Sequence, residues 1–464
     1  MRACSLGMLV LLGAGGCKGR EKAAGSDNGP YGDRVAAAIP KIEAATGLRF
    51  KTPPRVESRS KEQVRAFLEK SFTASRAAKE LTGMETAYKL FGFLPDTLDL
   101  HKLLVDLLTE QIVGYYDPHA KVLYVVSDAS EDFVGVTITH ELVHALQDQY
   151  INLDSIQQVA SDNDHTSAAQ AVIEGEAVFE QMSIMMGNNL AAGLPGGWDK
   201  VREMIREQSS SMPRFAMSPL IVQETVIFPY LAGAEYVRAA KAARPGQAPI
   251  LDMPVSTEQV LHPEKKLSDK PDVPSAISLG SPRNGTLVYE NTLGEFETKL
   301  FLYEHLRDDA GAVRGASGWD GDRYQVVKTA AGNAIAWVTT WDNAIEAGEF
   351  YDLMDHVIQR RFQPKEFTRL PDGKGYDEKH RSIALRTATI QGRPTVIYID
   401  VPKGASTDLL DLGWAELVLE GEWAGQQIDT GLVAEVVQGD RESGLLSGPA
   451  QWRHSLRDAV DGWI

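Results

Sequence analysis

The string Thr139-His140-Glu141-Leu142-Val143-His144 carries two imidazoles four residues apart. On a helix that spacing sets both on one face, one turn above the other. Two neutral nitrogen donors so placed can share a single tetrahedral Zn2+. Glu141 lies too close along the helix to share the metal, but near enough to act as general base toward a water that the metal activates. A catalytic zinc site takes a third protein ligand and leaves one position open. Further on, Glu174-Gly175-Glu176 offers two carboxylates, and at about 100° per helical residue they point to different sides, so only one can bind. Gly175 inside a helix costs about 1 kcal/mol against Ala. That cost makes sense where two helices approach closely, and on this packing argument Glu174 is preferred to Glu176 as the third ligand.

Elements of the right kind surround these residues. Residues 133–149 read as a helix with Ile138, Leu142, Val143 and Leu146 on its buried side, so the histidines sit on an amphipathic helix facing a core. Before it, Gly114-Tyr115-Tyr116, the turn residues Asp117-Pro118 and the run 121–126 read as a β-hairpin. This order resembles that of the zincins, in which an antiparallel edge strand precedes the active-site helix and pairs with extended peptide, and the resemblance implies that role for 121–126. A second helix is expected at 166–186. Asp148, one turn past His144, is a candidate to orient a ligand imidazole. Asp162, Asp164 and His165 read as helix-start capping with a possible outer-sphere role. Tyr230 and His262 are candidates for stabilising an oxyanion.

Helices are also expected at 35–50, 60–72, 96–111 and 230–243, the last introduced by Phe228-Pro229. The stretch 52–59 is extended, and 254–274 reads as ordered loop. Beyond about residue 286 a helix (293–306) leads to strands at 323–327 and 334–340, a helix at 344–361, strands at 382–389 and 395–401, and a helix at 409–419. That order argues an antiparallel α+β region. Trp319, Trp337 and Trp341 within it read as core. The expected fold is therefore α+β: a small antiparallel-edged sheet with an active-site helix and a glutamate helix, a mostly helical lobe, then the antiparallel region. In residue numbers the divisions are 1–16, 17–34, 35–275 and 286–464.

Residues 1–17 have the layout of an export signal: Arg2, an apolar run at 6–12, and small residues before Cys17. The small-small-small-Cys ending resembles the lipobox of bacterial lipoproteins, with Ala14 where such signals usually carry Leu. That resemblance implies lipidation at Cys17, a membrane anchor, a polar tether over 17–34, and a periplasmic or outer-membrane location. Cys4 and Cys17 are the only cysteines, so the exported body holds no disulfide framework and no thiol nucleophile. The formal charge is −17, and loss of Arg2 with the leader subtracts one more positive charge to give −18. So negative a surface, with no basic stripe, excludes nucleic acid as a partner.

Over residues 114–186 the chain resembles the gluzincin-type zinc metallopeptidases, whose aminopeptidase members carry their third ligand in a Glu-Gly-x-Ala string like that at 174–177. The strings at 228–230 (FPY) and 256–266 (STEQVLHPEKK) also resemble uncharacterised bacterial proteins of this class. Gln147 and Tyr150 stand where metzincins need Gly and a third His, which excludes that branch. Ala177-Val178 replaces the Ser-Asp of thermolysin-like enzymes, so their usual outer-sphere Asp is missing. The resemblance implies a zinc endopeptidase acting on peptide or protein, with His140, His144 and Glu174 on the metal and Glu141 as base. A zinc amidase of cell-wall material and a non-catalytic binding module are the alternatives.

Overall fold

Val35, Ala38 and Ile42 bury one face of α1 (Gly32–Thr46), which stops at Gly47 with φ of +77°, a conformation that favours glycine. A computed structural model of the 464-residue chain describes residues 31–411, apart from 128–130, 155, 157–161 and 187–196, together with 416–418. The export segment and Cys17 lie outside the described residues. After α1 come β1 (Arg55–Arg59) and α2 (Lys61–Thr73). The latter starts on a capping box in which Ser60 and Gln63 satisfy each other's amides. Then follow α3 (Ser75–Phe91) and α4 (Leu100–Gln111), the latter capped by Asp99.

The hairpin is present as β2 (Gly114–Asp117) and β3 (Val122–Val126). Asp117 Oδ1 closes its turn by accepting from the amides of His119 and Ala120 at 3.0 Å each. One expectation needs correcting. β1 pairs with β3 in parallel while β2 pairs with it antiparallel, so β3 is the central strand and not an edge. All five of its residues are buried, and the antiparallel edge of this sheet is β2.

Next come α5 (Glu131–Gln147), α6 (Asn163–Met186), α7 (Gly197–Ser210) and α8 (Leu220–Ala243). Helix α8 begins ten residues before the expected 230, with Pro229 inside it, because Ile221, Val222, Ile227 and Phe228 already bury a helical face. The stretch 254–274 is not all loop. Ser256 caps a short helix, Thr257–Leu261, and Pro263 starts another, Pro263–Leu267.

After β4 (Ala276–Ser278), the C-terminal part is an antiparallel sheet with strands in the spatial order 286–291, 319–329, 332–341, 393–402, 381–390, 373–377 and 367–370. It comprises β5 (Thr286–Asn291), β6 (Trp319–Thr329), β7 (Gly332–Trp341), β8 (Phe367–Leu370), β9 (Gly373–Asp377), β10 (Arg381–Ile390) and β11 (Arg393–Pro402). Strand alternation splits β7 between two cores. Ile335 and Trp337 face the helices α9 (Gly294–Leu306), α10 (Asp309–Ala316) and α11 (Ala344–Phe362), while Ala334, Ala336 and Val338 join a second cluster with Ile277 and Leu409. Trp319, Trp337 and Trp341 are buried, as core residues should be. The expected helix over 409–419 is absent where described: residues 416–418 are a strand paired with residues 276–278. The described architecture is thus mixed α+β with an antiparallel C-terminal sheet. No described helix is long and apolar enough to cross a membrane.

One buried junction ties α6 to this sheet. Asp164, in the first turn of α6, accepts from Thr257 N at 3.0 Å and from the Thr257 hydroxyl. The same hydroxyl accepts from Phe296 N in α9. Asp322 of β6 receives the Leu293 and Gly294 amides and both the Trp319 and Trp337 indoles. Gly294 at φ +72° leaves room that a Cβ would take from Asp164 Oδ1, at 1.8 Å.

Candidate metal centre

One side of α5 packs Val134, Ile138, Leu142, Val143 and Leu146 against α1 and the small sheet. The opposite side presents His140 and His144 to α6. Helix α6 in turn crosses α8 at backbone distance: a Cβ on Gly175 would lie 2.2 Å from the Gly233 carbonyl carbon, and one on Gly233 would lie 1.9 Å from Ala171 O. The close approach expected at Gly175 is therefore present, and its partner is α8.

That packing brings three side chains together. Glu174 Oε2 lies 3.3 Å from Nε2 of both His140 and His144, and the two Nε2 atoms are 3.2 Å apart. All three residues are at most 7 % exposed. Glu176 points away, accepting from Gln147 Nε2 at 2.9 Å. Of the two carboxylates weighed for the third ligand, Glu174 is the one in the cluster. Glu141 is fully buried. Its Oε2 accepts from the Tyr116 amide of β2 at 2.8 Å, and its Oε1 has no partner.

Two glutamines orient the imidazoles, and sequence reasoning named neither for this role. Gln147 Oε1 lies 2.8 Å from His144 Nδ1, and Gln181 Oε1 lies 3.1 Å from His140 Nδ1. A signal was available: Gln147 stands three residues past His144, and Gln181 stands seven past Glu174, two turns along the same helix. The role expected of Asp148 falls to Gln147. Asp148 instead accepts from the Tyr116 hydroxyl and Lys121 at 2.7 Å each and from Leu153 N at 3.1 Å. It pins the end of α5 to the hairpin, a turn too far to reach an imidazole.

Of the two oxyanion candidates, Tyr230 of α8 is near, its ring centroid 6.3 Å from that of His140 and roughly parallel to it. His262 is engaged elsewhere, with Nε2 2.9 Å from Glu295. Asp162 caps the start of α6 by accepting from His165 N at 2.9 Å. Glu258, Asp272 and Asp342 form a second acidic group, but Lys265 Nζ already sits among them at 2.5, 2.8 and 3.1 Å. An internal cation fills that place.

The electrostatics follow from burial and proximity. Burial alone would lower the His144 pKa, but the adjacent Glu174 carboxylate outweighs it and lifts the imidazole to about 9. Burial alone would raise Glu174; the His144 charge and the bonds from both imidazoles hold it well below the usual carboxylate range. Burial raises Glu141, only partly offset by the two histidines. A metal must displace the proton that His144 holds below about pH 9. Zinc affinity should consequently fall about tenfold per pH unit on going from pH 8 to pH 6. Chelator competition at several pH values measures this, and a flat profile would show that no proton is displaced.

The donor set fits a small divalent ion. A tetrahedral zinc with bonds of about 2.0–2.1 Å sets its donors about 3.3–3.4 Å apart, and the three distances here are 3.2, 3.3 and 3.3 Å. Among known families, a domain of unknown function (DUF8575) matches residues 285–401, wholly outside this cluster. No curated protein matches the chain. One solved structure, a candidate hydrolase with a novel fold from Chloroflexus aurantiacus, is similar at 18% identity and a TM-score of 0.31. The match covers 51% of this chain and 87% of that one.

Proposed function

We propose that this chain is a gluzincin-type, zinc-dependent endopeptidase of the cell envelope, anchored through a lipid on Cys17. One observation carries the metal reading. If both Nδ1 atoms donate to glutamine carbonyls, both Nε2 atoms present lone pairs, and they converge with Glu174 Oε2 on one buried point. Those three acceptors need either the proton that His144 holds in the metal-free protein or a metal cation to join them.

His140, His144 and Glu174 would hold the zinc. When bound, it would supply Lewis-acid polarisation of the scissile carbonyl and lower the pKa of water there. Glu141 does the proton work. Its Oε2 is fixed by the Tyr116 amide, which leaves Oε1 free to take a proton from the attacking water and return it to the leaving amine. Strand β2 positions this base through a main-chain bond, and the buried surroundings exclude bulk water from it.

Elemental analysis of the purified protein tests the metal assignment. One zinc per chain is expected, with most of it lost in Glu174→Ala and retained in Glu176→Ala; the reverse pattern would transfer the ligand role to Glu176. Casein and a peptide library, set against purified wall fragments, test the bond cleaved. Turnover of wall fragments alone would make the protein an amidase, and turnover of neither a binding module. For the anchor, incorporation of labelled palmitate should vanish in Cys17→Ser, and its persistence there would remove Cys17 as the lipid site.

A further inference from the structure

Gln147 makes more contacts than an orienting carbonyl needs. Besides its Oε1 on His144, its Nε2 donates to Ile173 O at 3.0 Å and to Glu176 Oε2 at 2.9 Å. A main-chain carbonyl cannot donate, so the nitrogen of the amide must lie on that side. The oxygen is then fixed toward His144, and His144 Nδ1 must be the donor. With Nδ1 keeping its proton, it is the Nε2 proton that a metal displaces, and the lone pair so freed is aimed at the cluster with His140 and Glu174. Gln147 is 1 % exposed and Glu176 is fully buried, so bulk water does not compete for either partner.

We propose that Gln147 is a positioning residue that only a carboxamide can replace, one that locks His144 for metal binding by accepting from Nδ1–H while donating to Glu176 and Ile173. The inference rests on the metal reading above and deepens it. It assigns buried Glu176, left out of the ligand set, the task of holding Gln147 in the correct orientation. Gln181 of α6 holds His140 in the same sense, with Oε1 toward Nδ1. Each imidazole thus faces a neutral amide oxygen where a carboxylate is the commoner partner. The reason at Gln147 is local: a carboxylate there would set an oxygen against both Glu176 Oε2 and Ile173 O, without the N–H donor that the carboxamide supplies to both.

The test measures Zn2+ affinity of the full chain by chelator competition, with melting of the metal-free protein run beside it. Gln147→Ala should weaken zinc about 10- to 100-fold, the usual effect of losing an outer-sphere partner. Gln147→Glu should weaken it comparably despite its matched shape, and adding Glu176→Gln should recover part of the loss by restoring a donor opposite the new carboxylate. In Co2+-loaded protein the exchangeable His144 Nδ1–H resonance, shifted by the metal, should exchange faster in Gln147→Ala. Zinc affinity within threefold of native in Gln147→Glu alone would overturn the proposal, since any acceptor would then suffice. A lowered metal-free melting point with unchanged affinity would likewise reduce Gln147 to a packing residue. Native protein that binds neither Zn2+ nor Co2+ would be a different failure, that of the metal centre itself. Should Gln147→Ala not fold, Gln147→Glu and its double variant carry the test.

Discussion

Glu141→Gln is expected to lower kcat/KM for peptide hydrolysis by about 10²- to 10⁴-fold, the range a positioned general base contributes, while zinc stays at its native stoichiometry. The two effects separate because Glu141 is outside the ligand cluster: one oxygen is held by the Tyr116 amide and the other is unpartnered. A glutamine can keep the first contact through its carbonyl oxygen and cannot serve as base at the second. Steady-state kinetics on a peptide substrate, with zinc measured on the same samples, decides the matter. Undiminished hydrolysis would remove Glu141 from the mechanism, and loss of zinc would place it in the coordination shell.

Gly233→Ala should produce a large loss of stability for a single-methyl change. Replacing helical Gly by Ala normally gains about 1 kcal/mol of helix propensity. Here the new carbon would meet the Ala171 carbonyl oxygen at 1.9 Å and its carbon at 2.6 Å. These are backbone atoms of α6 and cannot rotate away. Overpacking that forces side chains and backbone to shift costs about 1–3 kcal/mol. With rigid backbone on both sides the cost should reach the top of that range, so the propensity gain is overrun and the net cost should be about 2 kcal/mol. Relief requires α6 and α8 to separate, which would draw Glu174 away from the histidines. Urea unfolding should show a lower midpoint, and zinc affinity should fall with it. A variant as stable as the native protein would mean that the helices have room that this crossing does not leave.

Much of the centre was legible because its signals are local. Two histidines one turn apart, apolar Leu142 and Val143 between them, and a glycine beside the candidate carboxylate are all readable within a few residues. The misreadings share a different origin. The internal place of β3 depends on its parallel partner at residues 55–59, a pairing across more than sixty residues that no periodicity announces. Helix α3 escaped because its buried face (Ala77, Leu81, Ala87, Tyr88, Phe91) is broken by Gly83. That glycine exists for a distant reason, since a Cβ there would strike the Tyr289 ring at 2.3 Å. Asp148 had the better chemistry for orienting an imidazole, and Gln147 the better reach. Type alone favoured the wrong neighbour.

The junction at the start of α6 has a bearing on how the chain can be divided. A polypeptide ending near residue 275 would still contain His140, Glu141, His144 and Glu174. It would lack the Phe296 amide that engages the Thr257 hydroxyl, and it would lack Asp322 with the indoles that steady it. Asp164 would then sit at the head of the glutamate helix with only Thr257 for support and its far wall removed. Such a shortened product would possess every reacting group, yet the head of the helix that carries Glu174 would have lost the contacts that seat it on the C-terminal sheet.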